Sequence, residues 1–130
     1  MEFQRGRVGT PTAPGPDTIT GQMFLDPTLM TDGVGINSVV FTPGARTYWH
    51  SHTGGQIFFI THGRGMVATK HGDCRAVEAG DVVYAPPGEI HWHGASPDSY
   101  VVYSAVSLGA SEWLDPVTDE DYHKSWEGQS

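Results

Sequence analysis

From about residue 22 to residue 107 the chain alternates short strand-forming runs with glycine- and proline-containing breaks, and that alternation decides its fold class. The runs are GQMFLD, GINSVVFT, ARTYWHSH, QIFFIT, GMVATKH, CRAVEA, DVVYAP, EIHWHG and YVVYSAVS. Between them stand DPT, TDGVG, PGA, TGG, HGRG, HGD, AGD, PPGE and SPDS. One strand every eight to twelve residues or so is the spacing of a β-sandwich or barrel. The 17 glycines and 9 prolines of the 130-residue chain supply the turns. This length fits one domain. Residues 1–20 contain TPTAPGPD and lack periodicity, so they read as an extended arm; residues 21–130 read as the domain. Near the end, VTDEDYHKSW carries Thr118 as an N-cap with Asp121 three residues on, which predicts a short C-terminal helix.

Charge excludes some partners. The net charge is −8 with only 7 Lys+Arg, and no basic cluster exists to hold nucleic acid or an anionic membrane. The longest strongly apolar run is IFFI at 57–60, too short to span a bilayer, and the start lacks the layout of a signal peptide. Cys74 is the single cysteine, so no internal disulfide forms. A cytoplasmic protein acting on a small molecule is the expectation.

The histidines point to chemistry. His50 and His52 lie two apart in one run, and His91 and His93 lie two apart in another. Alternation along a strand puts each pair on one face, roughly 7 Å between neighbours, close enough to converge on a metal. Gln56 follows a Gly54-Gly55 turn and offers an amide oxygen as third ligand, with a histidine from PPGEIH as fourth. Imidazole suits Mn, Fe, Ni, Cu and Zn, so ligand type alone leaves the metal open. His62, His71 and His123 stand at turns or in the tail without a partner pattern. The same alternation nominates Asn37, Val39, Arg46, Tyr48, Phe58, Tyr103, Ala105 and Ser107 for the inner face. Among these, Phe58, Val39 and Ala105 also suit plain barrel core, and Arg46 suits a structural acid partner. Trp49 and Trp92 have the opposite parity and should pack outside the barrel or into a subunit interface.

The stretch Gly44-x5-His50-x-His52-x3-Gln56-x6-Gly63 resembles the first cupin motif, and Gly80-x5-Pro86-x-Gly88-x2-His91 resembles the second. Gly44 and Gly63 would close tight turns at positive φ. The resemblance implies an all-β, single-domain, jelly-roll-like barrel with a metal held inside. The runs GARTYWHSHTGGQ, AGDVVYAPPGEIHWHGASP and VTDEDY are further similar to small bacterial manganese-dependent hydroxynitrile lyase cupins and to carboxymuconolactone-decarboxylase-associated cupins. That similarity implies His50, His52, Gln56 and His91 as ligands. It also implies a divalent cofactor, manganese first, with iron, nickel or zinc after it. Cupins commonly pair by exchanging N-terminal segments, which implies a homodimer or higher homo-oligomer.

The chain departs from the family at three places. Gln56 stands where cupins usually carry Glu, Ala95 where Asn is frequent, and Tyr103 where the lyases carry an active-site histidine. Neutral Gln56 leaves a divalent ion its full charge, which favours Lewis-acid chemistry over oxygen-activating iron. The expected reaction is redox-neutral carbon–carbon cleavage, with His93 as base and Tyr103 donating to the leaving group or orienting substrate. Asn37, Val39, Tyr48, Phe58 and Ser107 would form the substrate pocket. Three other readings compete: an Fe(II)- and O2-dependent dioxygenase, an isomerase or cyclase working through an enolate, and a non-catalytic binding module.

Overall fold

The computed structural model describes residues 1–5 and 12–129. Of the arm expected over 1–20, residues 6–11 lie outside the described part. Within the rest of it run two short strands, β1 (Ala13–Pro14) and β2 (Ile19–Thr20). There follow β3 (Met23–Thr31), β4 (Val34–Phe41), β5 (Arg46–Thr47), β6 (His50–His52) and β7 (Gly55–Thr69). Then come β8 (Cys74–Glu78), β9 (Val82–Ala85), β10 (His91–Ala95), β11 (Val101–Leu108) and β12 (Ser111–Trp113). Helix α1 (Asp119–Trp126) ends the fold. Among the described residues no helix is long and apolar enough to cross a membrane.

The strands curl into a jelly-roll-like barrel. One wall runs β1-β3-β4-β11-β7, with β9 on the far side of β7. The other pairs β7 with β8 and β10, β10 with β5 and β6, β5 with β2, and β6 with β12. Every pairing is antiparallel, which suits a chain built of short segments and tight turns.

Two expected breaks are not breaks. HGRG lies inside β7, which is 15 residues long and belongs to both walls. Its first half pairs with β11 and β9, its second half with β10 and β8. Gly63 makes the bend possible without a turn: its φ is +78°, and a Cβ there would fall 2.0 Å from the Tyr100 carbonyl oxygen. The DPT run lies inside β3, whose register shifts between Pro27 and Leu29. Proline is tolerated there because only Phe24 and Leu25 of β3 have partners on the outer side.

A third difference reaches the site. ARTYWHSH, expected as one strand, splits into β5 and β6 with Tyr48 and Trp49 between them. Alternation therefore does not carry across residues 48–49. Thr47 faces inward with His50, while Arg46 turns outward.

Two apolar clusters result. The inner one centres on Phe41, Phe58, Ile60, Val101 and Tyr103. The outer one joins Trp49, Met66, Trp92, Val117 and Tyr122 beneath α1. Thr118 caps α1 by accepting the Asp121 N–H at 3.1 Å. Arg46 ties the cap to the wall: its Nη2 donates to Asp119 at 2.7 Å and to the Val117 carbonyl at 2.9 Å, and its guanidinium lies over the Tyr122 ring. That bond holds the Asp119 carboxyl below its ordinary pKa.

Candidate metal centre

β6 and β10 are neighbours, and their register sets His50 directly opposite His91. His52 follows on the inner face of β6, and His93 on the inner face of β10. Gln56 enters from the start of β7. All five side chains are buried. Ligand-capable atoms of His50, His91 and His93 lie within 4.8 Å of one another. The His50 and His52 rings are 5.1 Å apart, and those of His50 and His91 are 4.4 Å apart.

Hydrogen bonding fixes which ring nitrogens face inward. His50 Nδ1 lies 2.8 Å from the Tyr48 carbonyl oxygen, and His91 Nδ1 lies 3.0 Å from the Glu89 carbonyl oxygen. A carbonyl oxygen only accepts, so both Nδ1 atoms carry the proton and both Nε2 atoms are bare lone pairs. Gln56 Nε2 donates to Ser107 Oγ at 2.9 Å, which turns its Oε1 toward those lone pairs. Oε1 sits 2.8 Å from His91 Nε2 and 3.4 Å from His50 Nε2. His52 anchors its Nδ1 on Ser111 Oγ at 2.9 Å, and its buried Nε2 has no partner.

The result is three acceptors, His50 Nε2, His91 Nε2 and Gln56 Oε1, turned toward each other with no hydrogen to share, with the unpartnered His52 Nε2 beside them. Such an arrangement is unfavourable by itself and is relieved by a cation. The three-histidine cluster of His50, His91 and His93 can hold a divalent ion. Outer partners on Nδ1 are what orient imidazole ligands.

The histidines are also held neutral. Burial first, and then the neighbouring His91, lower the His50 pKa to about 3. The same two causes lower His52 to about 4. Burial lowers His91 and puts His93 well below the ordinary imidazole value. Their lone pairs are therefore available at neutral pH.

The site opens on a cavity of about 340 Å³. Asn37, Val39, Ser107 and Ala105, nominated by alternation, line it together with His50, His52, Gln56 and His93. Tyr48 does not line it, because the interruption at 48–49 removes it from the inward register. Phe58 lies behind the histidines, its ring 4.6 Å from that of His93. Tyr103 also sits outside the lining: it is buried, stacked on Phe41, and its hydroxyl meets His93 Nδ1. Burial raises the Tyr103 pKa well above its usual value, so the phenol keeps its proton.

Among the lining residues that sequence reasoning missed, three touch the histidines. Thr47 accepts the His93 backbone N–H at 3.2 Å. Ser111 orients His52, and Trp113 lies 4.4 Å from the His50 ring, centroid to centroid. Ser111 and Trp113 belong to β12, whose three residues give no alternation to read; a serine and a tryptophan two apart after a glycine were the available signal.

Comparison with known proteins agrees with this geometry. The cupin domain family matches residues 37–106. An (R)-mandelonitrile lyase from Granulicella tundricola is 38% identical over 133 residues, covering 95% of this chain and all of the relative. A cupin-like protein from Thermotoga maritima superposes with a TM-score of 0.84 at 40% identity, covering 98% of both chains. A predicted oxalate decarboxylase from the same organism shares the fold at 19% identity, with a TM-score of 0.72 over 84% of this chain and all of that one.

Proposed function

Since the chain belongs to the cupin family, we propose that it is a metal-dependent lyase. The bond it breaks joins a hydroxyl-bearing carbon to a nitrile, in a small aromatic cyanohydrin of the mandelonitrile class. The carrying observation is the set of neutral acceptors on His50, Gln56 and His91, with the unpartnered Nε2 of His52 beside them, opening on a mostly apolar cavity. The activity of the Granulicella tundricola relative supports the reaction class. A divalent ion on these four residues, manganese by preference, would supply Lewis acidity toward the substrate oxygen at its full double charge.

The chain's own residues do the rest. Met23, Leu25, Val39 and Ala105 give the aromatic ring an apolar wall. The buried Tyr103 hydroxyl has His93 Nδ1 as its partner, and we assign the phenol, which keeps its proton, as the donor of that pair. His93 Nε2 then carries the hydrogen, so His93 acts as a donor to the cavity it lines. In this reading His93 is a donor in place of the base expected from sequence, and Tyr103 is a positioning residue. The substrate hydroxyl gives its proton to water, and the carbon–carbon electron pair departs with cyanide against the His93 N–H. Cyanide takes up a proton, and the products are an aldehyde and hydrogen cyanide. No oxidant enters this balance.

The test is cyanide release from mandelonitrile by chelator-treated protein, before and after loading with manganese, iron(II), nickel or zinc. Release should return with manganese and proceed without oxygen uptake. Release that survives chelation, or turnover coupled to oxygen uptake, would overturn the proposal.

A further inference from the structure

Three of the four tryptophans have a packing role. Trp49 and Trp92 belong to the outer apolar cluster, and Trp126 packs against it. Trp113 belongs to neither cluster, and 41% of it is exposed. Among the described residues its one ring contact is the His50 imidazole, 4.4 Å away and tilted by 35°. Its backbone is nevertheless held firmly. The Ala110 N–H donates to Thr53 Oγ1 at 2.8 Å, the Leu114 N–H to the Trp49 carbonyl at 2.8 Å, and the Trp49 N–H to the Asp115 carbonyl at 3.0 Å. These bonds pin β12 to the flanks of β6 at both ends.

The register places Ser111 opposite His52 and Trp113 opposite His50. Paired residues on neighbouring strands share a face, so the indole stands on the histidine side and lines the cavity. His50 does not need the indole as a prop, because the Tyr48 carbonyl already holds its Nδ1. Across the cavity, on the opposite wall, stand Met23, Leu25 and Val39. A large aromatic face on a fixed strand, beside the site and without apolar core partners of its own, is a ready surface for a flat ligand.

We propose that Trp113 is the recognition residue of the site: its indole stacks on a planar aromatic ring and selects aryl over saturated substituents. The identity of the substrate rests on the lyase reading above, whereas the contact with a ring rests on the position of Trp113. In an aryl cyanohydrin the ring is bonded to the hydroxyl-bearing carbon. An oxygen directed at the acceptors of His50, Gln56 and His91 therefore brings the ring beside the indole, with the apolar wall on its other face. A saturated ring of similar size would fill the same space without the attraction between π systems, and so bind about 3- to 10-fold more weakly.

Indole N–H shifts test this without turnover. Benzyl alcohol added to the zinc-loaded protein should move the Trp113 Nε1–H peak in a nitrogen-15 correlation spectrum and leave those of Trp49, Trp92 and Trp126 in place. Trp113→Phe identifies the peak by its loss. Cyclohexylmethanol should bind the wild type about 3- to 10-fold more weakly than benzyl alcohol. Trp113→Phe should keep most of that preference and Trp113→Ala should abolish it, with the metal content of both variants unchanged. A moving Trp113 peak in a protein that releases no cyanide from mandelonitrile would support the recognition role and remove the lyase reading. Benzyl alcohol that binds without moving the Trp113 peak, or does not bind at all, would overturn the proposal. So would an aryl preference that survives Trp113→Ala.

Discussion

His91, Trp92 and His93 are consecutive residues of β10, and all three are buried. The two sides of the strand nevertheless differ in kind. On the outer side Trp92 packs 5.8 Å from the Tyr122 ring, and the Tyr122 hydroxyl donates to the Ala95 carbonyl at 2.7 Å. The groups left without a partner on this side, Arg46 Nε and Trp126 Nε1, are N–H donors that offer a metal no lone pair, and the cluster only fastens α1 to the barrel. On the inner side His91 Nε2 faces the Gln56 oxygen, acceptor against acceptor. Burial alone does not separate structure from chemistry; the accounting of donors and acceptors does.

The comparison breaks most visibly from the inside. His91→Ala should reduce cyanide release to background and the metal content to well below one per chain. The metal-free variant should unfold in denaturant close to the wild-type midpoint, because an opposed pair of acceptors is gone. Trp92→Ala should do the opposite: a loss of about 3–5 kcal/mol in denaturant unfolding, with the folded fraction still taking up metal.

Acid should come next and, between pH 7 and pH 5, act mainly on the inner side. His50 and His52 have folded pKa values of about 3 and about 4, against 6.5 for the free imidazole. Between those limits the unfolded chain binds more protons, so stability falls as pH falls. Their contribution is complete above about pH 6.5 and drains toward pH 4. For the metal-free protein the loss from pH 7 to pH 5 should be on the order of a few kcal/mol, read from denaturant midpoints.

Tyr103→Phe sharpens the contrast between touching substrate and positioning a group that does. Activity should fall about 10–100-fold with metal content unchanged. The nitrogen-15 shifts of His93 should show its Nε2 proton no longer fixed, a change that a packing role would not produce. The smallest effect should be Thr118→Ala, which removes the α1 cap for about 1 kcal/mol and leaves activity as it was.

Much of this was legible in the chain because β-structure writes its faces in alternate residues. Glycine and proline spacing gave the barrel, and Thr118 with Asp121 gave the helix start. Two short motifs nominated His50, His52, Gln56 and His91, which lie side by side, while the tight histidine group is His50, His91 and His93. The failures have physical causes. Alternation could not show that residues 48–49 leave the sheet, so Tyr48 was placed inward and Thr47 was overlooked. Glycine at 63 looked like a turn because nothing in sequence marks a strand that bends between walls. The outer location of Trp49 and Trp92 was readable, but α1 as their cover was not. The Tyr103–His93 contact joins separate strands across the barrel and has no local signature.

The central claim is that the facing acceptors of His50, His52, Gln56 and His91 hold one divalent ion. Anomalous diffraction from crystals of the manganese-loaded protein tests it most directly. One peak bonded to Nε2 of the three histidines and Oε1 of Gln56, with His93 outside the ligand set, is the predicted result. A peak ligated by His93 in place of His52, or no peak at full manganese loading, would contradict it.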